Sequence, residues 1–143
     1  MSEKIYLKDY VEPNYFQDKV DIHFSLFDDH CLVSCQSQLT QRRENQSSLK
    51  LNGEDLELVK IQLDGKDLVE GKDFEKDSES LTLKNLQNEH RLLIITKIYP
   101  AKNKSLMGLY KSSDFYCTQN EAEGFRKITY FLDRPDNLAS FLC

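Results

Sequence analysis

The residues best suited to chemistry in this 143-residue chain lie close together, in residues 117–126. This segment carries the carboxylates of Glu121 and Glu123 among amides and small residues, and loops of that composition commonly hold binding groups. Two carboxylates could serve as the acid and base of glycoside hydrolysis, and their sequence separation permits the necessary spacing without requiring it. The alternative is that Glu123 pairs with Arg126 or Lys127 at a solvated surface turn, which involves no chemistry.

The cysteines and histidines give only a weak metal signal. His30, Cys31 and Cys35 are close in sequence, but one Cys-x3-Cys pair with no second pair downstream is a poor match to zinc-ligand spacing. The four cysteines are also too few and too unevenly spaced for a disulfide framework. We therefore predict no metal site in this chain and ordinary strand side chains at these positions.

Composition limits the class of protein. A net charge of −5 argues against a nucleic-acid partner, because phosphates require a basic face. Hydrophobic residues make up 39% and charged residues 30%, which is typical of one soluble globular domain. No apolar run has the length of a membrane span, and residues 1–6 contain no apolar core of a secretory signal. The expected location is the cytoplasm.

The elements that must position residues 117–126 are predicted to be strands. Residues 20–26 alternate between apolar and polar side chains, which places His23 on the solvent side. A second alternating run covers residues 33–39, and Asp28-Asp29 predicts the hairpin turn between the two runs.

Further strands and turns are predicted in the middle of the chain. A short strand at residues 49–51 runs into Asn52-Gly53, which predicts a tight turn. Within residues 56–63 the apolar side chains change from even-numbered to odd-numbered positions, which predicts a β-bulge. Asp64-Gly65 predicts another turn, and two short strands are expected between residues 68 and 86. Residues 92–99 are apolar on both parities and should form the most buried strand, which Pro100 ends.

The whole pattern predicts an all-β fold, an antiparallel β-sandwich with at most short helical turns near its C-terminal end. No amphipathic helical period occurs before residue 120, and turn signals recur about every 8 to 12 residues. Near the end, Asp133 could cap a helical turn with Pro135 in an early position and Leu138 and Phe141 on one side. The sequence stops after Phe141-Leu142-Cys143 without a polar tail, so we expect a larger protein to continue.

Several blocks together resemble one known family. They include Asp9-Tyr10, the strand from Val20, Leu49-Lys50-Leu51-Asn52-Gly53-Glu54, Gly108-Leu109-Tyr110-Lys111-Ser112, Cys117-Thr118-Gln119, Glu121-Ala122-Glu123-Gly124-Phe125-Arg126, Ile128-Thr129-Tyr130, and Leu132-Asp133-Arg134-Pro135-Asp136. In this order they closely resemble the amino-terminal domain of the aminopeptidase N family, bacterial-type zinc aminopeptidases of the gluzincin class. The resemblance runs from about residue 6 to residue 141, and its T-Q-x-E-A-E-G-F-R block is highly specific.

The resemblance implies that residues 1–143 are a single saddle-shaped, mostly antiparallel β domain. It would lead a multidomain enzyme and pack against a thermolysin-like catalytic domain of the same polypeptide. The resemblance also implies that Glu121 binds the free α-ammonium of a peptide substrate and that Gln119 lines the pocket for the first side chain. A carboxylate suits an ammonium because its oxygens only accept hydrogen bonds and carry the opposite charge.

The motif that would hold zinc in such enzymes, H-E-x-x-H, is absent from this sequence, and Glu89-His90 lacks the second histidine. The resemblance therefore implies zinc in the full-length enzyme, bound by the catalytic domain, and an alanyl-type aminopeptidase activity that these 143 residues alone would lack. No catalytic residue is assigned to this chain. Asn120 and Lys127 depart from the family's usual residues but only flank Glu121.

Two further expectations follow from the resemblance. An interdomain face left bare should show an apolar exposed patch near Tyr110, Phe125 and Tyr130. Arg126 and Arg134 should have structural roles, tying the loop to carboxylates such as Asp133. The competing hypothesis is a free-standing β-sandwich binding module without catalysis, and a native reading frame that ends at residue 143 would favour it.

Overall fold

The computed structural model describes residues 6–143, which form strands joined by turns and short 3-10 helices. The strands are β1 (Tyr15–Leu26), β2 (Cys31–Gln41), β3 (Leu49–Asn52), β4 (Glu57–Leu63), β5 (Lys66–Asp67), β6 (Phe74–Lys76), β7 (Ser80–Leu83), β8 (Glu89–Ile98), β9 (Gly108–Ser112), β10 (Phe115–Gln119) and β11 (Phe141–Leu142). The 3-10 helices are Leu7–Asp9, Pro100–Lys102 and Phe125–Lys127. The all-β prediction is confirmed.

The first hairpin follows directly from side-chain alternation. In β1 and β2 one face is buried and the other faces solvent, and His23 lies exposed as predicted. The backbone N–H of Phe27 donates to the carbonyl of His30 and closes the turn at 28–29. β1 begins at Tyr15, earlier than the alternation indicated. A bulge at Lys19 shifts the pairing register between residues 18 and 21 and so interrupts the alternation there.

A six-stranded sheet has the order β11-β1-β2-β8-β4-β5, antiparallel except for the β1–β11 pair. β8 lies inside this sheet, but its side chains alternate between buried and half-buried, so the expected burial on both faces holds on one face only. The predicted bulge in β4 is confirmed by a register shift between Leu58 and Lys60. The Asp64-Gly65 turn is confirmed as well, because Leu63 pairs with Lys66.

The prediction of a tight turn at Asn52-Gly53 is wrong, because Asn52 is still part of β3 and no hairpin joins β3 to β4. β3 pairs with β7 in a separate three-stranded sheet of order β3-β7-β6, and the chain passes from it to β4 in the large sheet. Asn52 instead pairs with Phe131 through two backbone hydrogen bonds of 2.7 and 3.0 Å. Glycine is required at 53 because a Cβ there would collide with the ring of Tyr130.

Two apolar clusters form the core. The larger lies between the three-stranded sheet and the large sheet and includes Tyr15, Leu51, Leu81, Leu92 and Tyr130. The smaller one gathers residues of β1, β2 and β8 with Leu109, Ile128 and Phe131. It therefore connects the large sheet to the residues on both sides of the 117–126 segment.

The expected helical turn capped by Asp133 does not form, and the chain makes only a single turn at Pro135-Asp136, closed by the Asn137 N–H donating to the Arg134 carbonyl at 3.1 Å. The Asp133 carboxylate caps no helix and instead accepts hydrogen bonds from Arg126, while Leu138 is 87% exposed. Phe141 belongs to β11, which pairs in parallel with Val20 and Asp21 of β1.

The two ends of the described chain are fastened to each other. The Tyr10 hydroxyl donates to Asp136 at 2.9 Å, and Arg134 donates to the carbonyl of Val11 at 2.9 Å. Arg134 also forms an ion pair of 2.7 Å with Asp136. No helix of the described residues combines the length and apolar character that crossing a bilayer requires.

Candidate functional site

The hairpin of β9 and β10 carries the segment that the sequence singled out. These two strands form a separate two-stranded sheet, in which Gln119 at the end of β10 lies opposite Gly108 at the start of β9. A Cβ at Gly108 would lie 2.8 Å from the Cβ of Lys127, so the base of the hairpin packs closely on the 3-10 helix that follows the loop. The hairpin thus fixes where residues 120–124 begin.

Residues 120–124 form a compact turn, called here the Glu121 loop. The N–H of Gly124 donates to the carbonyl of Asn120 at 2.9 Å, which closes the turn. A Cβ at position 124 would collide with the carbonyl oxygen of Gln119 and would lie 2.8 Å from the Cα of Asn120. Only glycine permits this close approach, so the turn depends on Gly124.

The far end of the loop is anchored by Arg126. Its guanidinium Nε lies 3.1 Å from Oδ2 of Asp133, and a terminal nitrogen donates to the Asp133 carbonyl at 3.3 Å. Both side chains are largely buried, with 15% and 13% of their surfaces exposed. The prediction that Arg126 ties the loop to Asp133 is confirmed by these contacts.

Lys127 is held by two acidic residues that sequence reasoning did not connect with the loop. Its ammonium lies 2.8 Å from Asp55 and 3.4 Å from Glu54. The hydrogen bond to Asp55 is the main cause that raises the pKa of Lys127 above its ordinary value, so the lysine stays charged. The carboxylates lie in the connection between β3 and β4, and no local pattern indicates that this connection meets residue 127.

Glu121 and Glu123 have different surroundings. The Glu123 carboxylate lies 3.6 Å from Arg126, as the surface-pairing alternative predicted. The Glu121 side chain is exposed, and within residues 6–143 its carboxylate has neither an ion pair nor a hydrogen bond. Glu121 is therefore open to a ligand, whereas Glu123 already has a cation.

Gln119 lies beside Glu121, so the two predicted binding residues do come together. Its side-chain amide N–H donates to the backbone carbonyl of Glu121 at 3.1 Å. This bond leaves the amide oxygen of Gln119 free to accept a hydrogen bond. Both side chains are exposed on the same short stretch of chain.

The expected apolar patch at Tyr110, Phe125 and Tyr130 is not found. Tyr130 is only 4% exposed and packs in the larger core cluster, because its ring fills the space over Gly53. Phe125 and Tyr110 are half-buried. The apolar surface near the loop is formed instead by Phe125 with the ring of Phe141, at a centroid distance of 5.6 Å.

A groove of ≈ 400 Å³ lies beside the Glu121 loop, over the rings of Phe125 and Phe141. Asn120 lines one part of it, and Asp133 and Arg134 line another. The Glu121 loop thus borders a concave surface with both apolar and polar walls.

The histidine and cysteine positions do not form a metal site in the described part of the chain. His30 lies 2.6 Å from Asp29 and stacks on Phe27, whereas Cys31 and Cys35 are buried in the smaller core cluster. Among residues 6–143, no group of three or more histidine, cysteine, aspartate or glutamate side chains could hold a metal ion.

Comparison with known proteins gives a family match over almost the whole chain. Residues 12–143 match the family described as Peptidase M1 N-terminal domain. Aminopeptidase N of Escherichia coli strain K12 is 43% identical over 136 residues, which cover 95% of this chain and 15% of that relative. Aminopeptidase N of Haemophilus influenzae is 38% identical over 96% of this chain and 16% of its own length. The chain therefore spans about one-sixth of the length of these relatives.

Solved structures agree with the fold. A crystal structure of Legionella pneumophila aminopeptidase A in complex with aspartic acid has a TM-score of 0.84 and 27% identity, covering 94% of this chain and 16% of that one. The M1 zinc metallopeptidase from Deinococcus radiodurans has a TM-score of 0.73 over 91% of this chain and 32% of that chain. Its 16% identity supports the shared fold alone.

Proposed function

Because this chain belongs to the family of peptidase M1 N-terminal domains, we propose that it is the leading domain of a zinc aminopeptidase and forms part of its substrate site. In this proposal the Glu121 carboxylate binds the free α-ammonium of a peptide, and Gln119 lines the pocket for the first side chain. The domain packs on a catalytic domain of the same polypeptide.

The observation that carries the proposal is the contrast between the two glutamates of the loop. The Glu121 carboxylate is exposed and free of partners within the described residues, whereas that of Glu123 is paired with Arg126. A carboxylate whose charge is not already neutralised can attract an ammonium. The attraction becomes strong once a second domain covers the site and excludes water, because the effective dielectric constant falls.

Recognition of an ammonium selects for chain ends. An internal residue of a peptide has an amide nitrogen, which carries no positive charge and offers a single N–H. A site that reserves one unpaired carboxylate for three N–H donors therefore favours removal of amino-terminal residues over internal cleavage. Gln119 supports this arrangement because its side-chain amide donates to the backbone carbonyl of Glu121 and so lies next to the residue that carries the carboxylate.

The proposal places zinc outside this chain. The described residues offer no group suited to hold it, so the metal would be bound by the catalytic domain. There it would polarise the scissile carbonyl and activate water. The residues of this chain would bind and orient the amino terminus, and the 143 residues alone would not hydrolyse peptides.

Replacement of Glu121 by alanine in the full-length enzyme tests the proposal. Loss of a hydrogen bond to a charged group should lower kcat/KM for an alanyl substrate by roughly 10- to 100-fold. The smaller value applies if a carboxylate of the catalytic domain shares the ammonium. Steady-state kinetics of the wild-type and Glu121→Ala enzymes measure this change.

Glu123→Ala is the matched control, because it removes a carboxylate from the same loop that already has a cation as its partner. This variant should keep kcat/KM within about twofold of wild type, since an exposed ion pair contributes little. Equal effects of the two substitutions, or none from Glu121→Ala, would contradict the assignment of Glu121.

A further inference from the structure

We propose that Arg126 is the positioning residue of the substrate site, and that it acts by holding the Glu121 loop against Asp133. The inference rests on the proposed function of Glu121 and assigns to Arg126 a role beyond surface pairing. Arg126 itself would touch no substrate.

The contacts of Arg126 connect the loop to a fixed part of the domain. Asp133 Oδ2 accepts from both the backbone N–H and the side-chain Nε of Arg126, at 3.3 and 3.1 Å. The Asp133 carbonyl accepts a third bond from the same guanidinium at 3.3 Å. The Arg126 carbonyl in turn accepts a bond of 2.9 Å from the backbone N–H of Glu54. A planar guanidinium with several donors suits this arrangement, and a lysine ammonium cannot reproduce it.

Asp133 is itself held in place by its neighbours. The N–H of Leu132 donates at 2.9 Å to the side-chain oxygen of Gln17, which is almost completely buried in β1. On the other side, Phe131 pairs with Asn52 through backbone hydrogen bonds. Asp133 therefore follows a segment fastened to two sheets, and Arg126 transmits that fixed position to the loop.

The loop between its two anchors is short. It is fixed at one end by the pairing of Gln119 with Gly108 and at the other by Arg126. Only the turn closed by Gly124 separates these anchors, and Glu121 lies within it. Loss of the Arg126 side chain removes two of the three hydrogen bonds to Asp133 and leaves the one from the backbone N–H. The loop is then held less firmly, and the carboxylate of Glu121 samples positions that do not meet the ammonium. An error of about 1 Å in such a contact is enough to reduce rates strongly.

Arg126 also controls which carboxylate is available. It lies within 4.0 Å of the carboxylates of Glu54, Glu123 and Asp133. Removing its charge would leave Glu123, two residues from Glu121, as a competing acceptor for an ammonium. Arg126 thus keeps Glu121 as the unpaired carboxylate of the loop.

A double-mutant cycle in the full-length zinc enzyme separates this role from a general contribution to folding. Arg126→Gln should lower kcat/KM for an alanyl substrate about as much as Glu121→Ala does, by tenfold or more. In the Glu121→Ala background the same Arg126→Gln change should alter kcat/KM by less than about twofold, because the group that Arg126 positions is already absent. A residue that only stabilises the fold would give multiplicative effects.

Two more variants keep the test decisive if Arg126→Gln lowers the yield of folded enzyme. Asp133→Asn removes the anchor from the other side and should show the same non-additivity with Glu121→Ala. Arg126→Lys keeps the charge but not the several directed bonds, so its kcat/KM should be intermediate. Lys127→Gln is the control, since its partners are Glu54 and Asp55, and its effect should multiply with that of Glu121→Ala.

The outcomes distinguish this inference from the proposed function. If Glu121→Ala lowers kcat/KM but the effects of Arg126→Gln and Asp133→Asn multiply with it, the positioning role of Arg126 is overturned and the ammonium site remains. If Glu121→Ala leaves the kinetics unchanged, the proposed function itself fails. Non-additivity for both Arg126→Gln and Asp133→Asn, with independence for Lys127→Gln, supports the inference.

Discussion

The charged side chains near the Glu121 loop differ in whether they already have an ion-pair partner. In the loop region, Arg126 binds Asp133 and Lys127 binds Asp55, while the Glu121 carboxylate has no partner among the described residues. The residue types alone indicated a binding loop and a possible Glu123–Arg126 pair. They did not indicate that Glu54 and Asp55 lie next to Lys127, because that proximity results from the path of the chain between two sheets.

The cysteines provide a prediction at this scale. Burial raises the pKa of the Cys35 thiol from 9.0 to about 12, and burial also raises that of Cys31, whereas Cys143 is exposed. In the 143-residue chain at about pH 8, an alkylating reagent should label Cys143 rapidly and Cys35 only after denaturant is added, because the thiolate is the reactive form. Peptide mass spectrometry measures the labelling, and equal rates at Cys35 and Cys143 would contradict the buried position of β2.

The same shift predicts how stability depends on pH. The native pKa of Cys35 is above the unfolded value, so the thiol stabilises the fold fully below about pH 9. Its contribution is lost as pH rises from about 9 towards 12, since the unfolded chain ionises first. A Cys35→Ala variant should therefore show a shallower fall in unfolding free energy over this window than wild type.

At the scale of elements, the compact turn at residues 120–124 provides a second prediction. Gly124→Ala would force a Cβ against the backbone of Gln119 and Asn120. Because backbone atoms cannot move aside as a flexible side chain can, the turn should open and displace Glu121. We expect kcat/KM of the full-length enzyme to fall by about tenfold or more, approaching the value of Glu121→Ala.

Gly71→Ala is the control for this substitution. Gly71 has a φ of +87°, but a Cβ there would meet no atom within 4 Å. Its replacement should cost about 1 kcal/mol in stability through backbone strain and leave the kinetics unchanged. If Gly124→Ala shows wild-type kinetics, the turn does not need a glycine to present Glu121.

The alternation of apolar and polar residues was sufficient to predict the β1–β2 hairpin and the bulge in β4, and the residue types Asp64-Gly65 were sufficient to predict a turn. Each of these features depends on residues that are neighbours in the sequence. The Asn52-Gly53 prediction was wrong because Gly53 serves a distant contact with Tyr130. The helical turn after Asp133 was wrong for a similar reason, since the carboxylate binds the backbone N–H and the side chain of Arg126, which precedes it in the chain, instead of the N–H groups that follow it. The patch at Tyr130 was wrong because local sequence cannot show that its ring enters the core.

For the whole molecule, the proposed function divides the tasks of an enzyme between this domain, which belongs to the M1 N-terminal family, and a catalytic domain that would hold zinc. We predict that a chelator removes aminopeptidase activity from the full-length protein and leaves the far-ultraviolet circular dichroism of the 143-residue chain unchanged. Zinc titration of the chain by calorimetry should show no stoichiometric binding. Tight zinc binding by the chain would contradict this division of tasks.

The contacts between residues 10–11 and residues 134–136 fasten the start of the described chain to its last part. Any polypeptide joined after Cys143 pulls on a segment that Asn137 ties to the backbone of Gln17 and that Ser140 ties to Asp18. Arg134 and Asp136 in turn bind Val11 and Tyr10 at the start of the described chain. A pull on the chain at Cys143 therefore meets these hydrogen bonds before it reaches Asp133 and the Glu121 loop that Arg126 fastens to it.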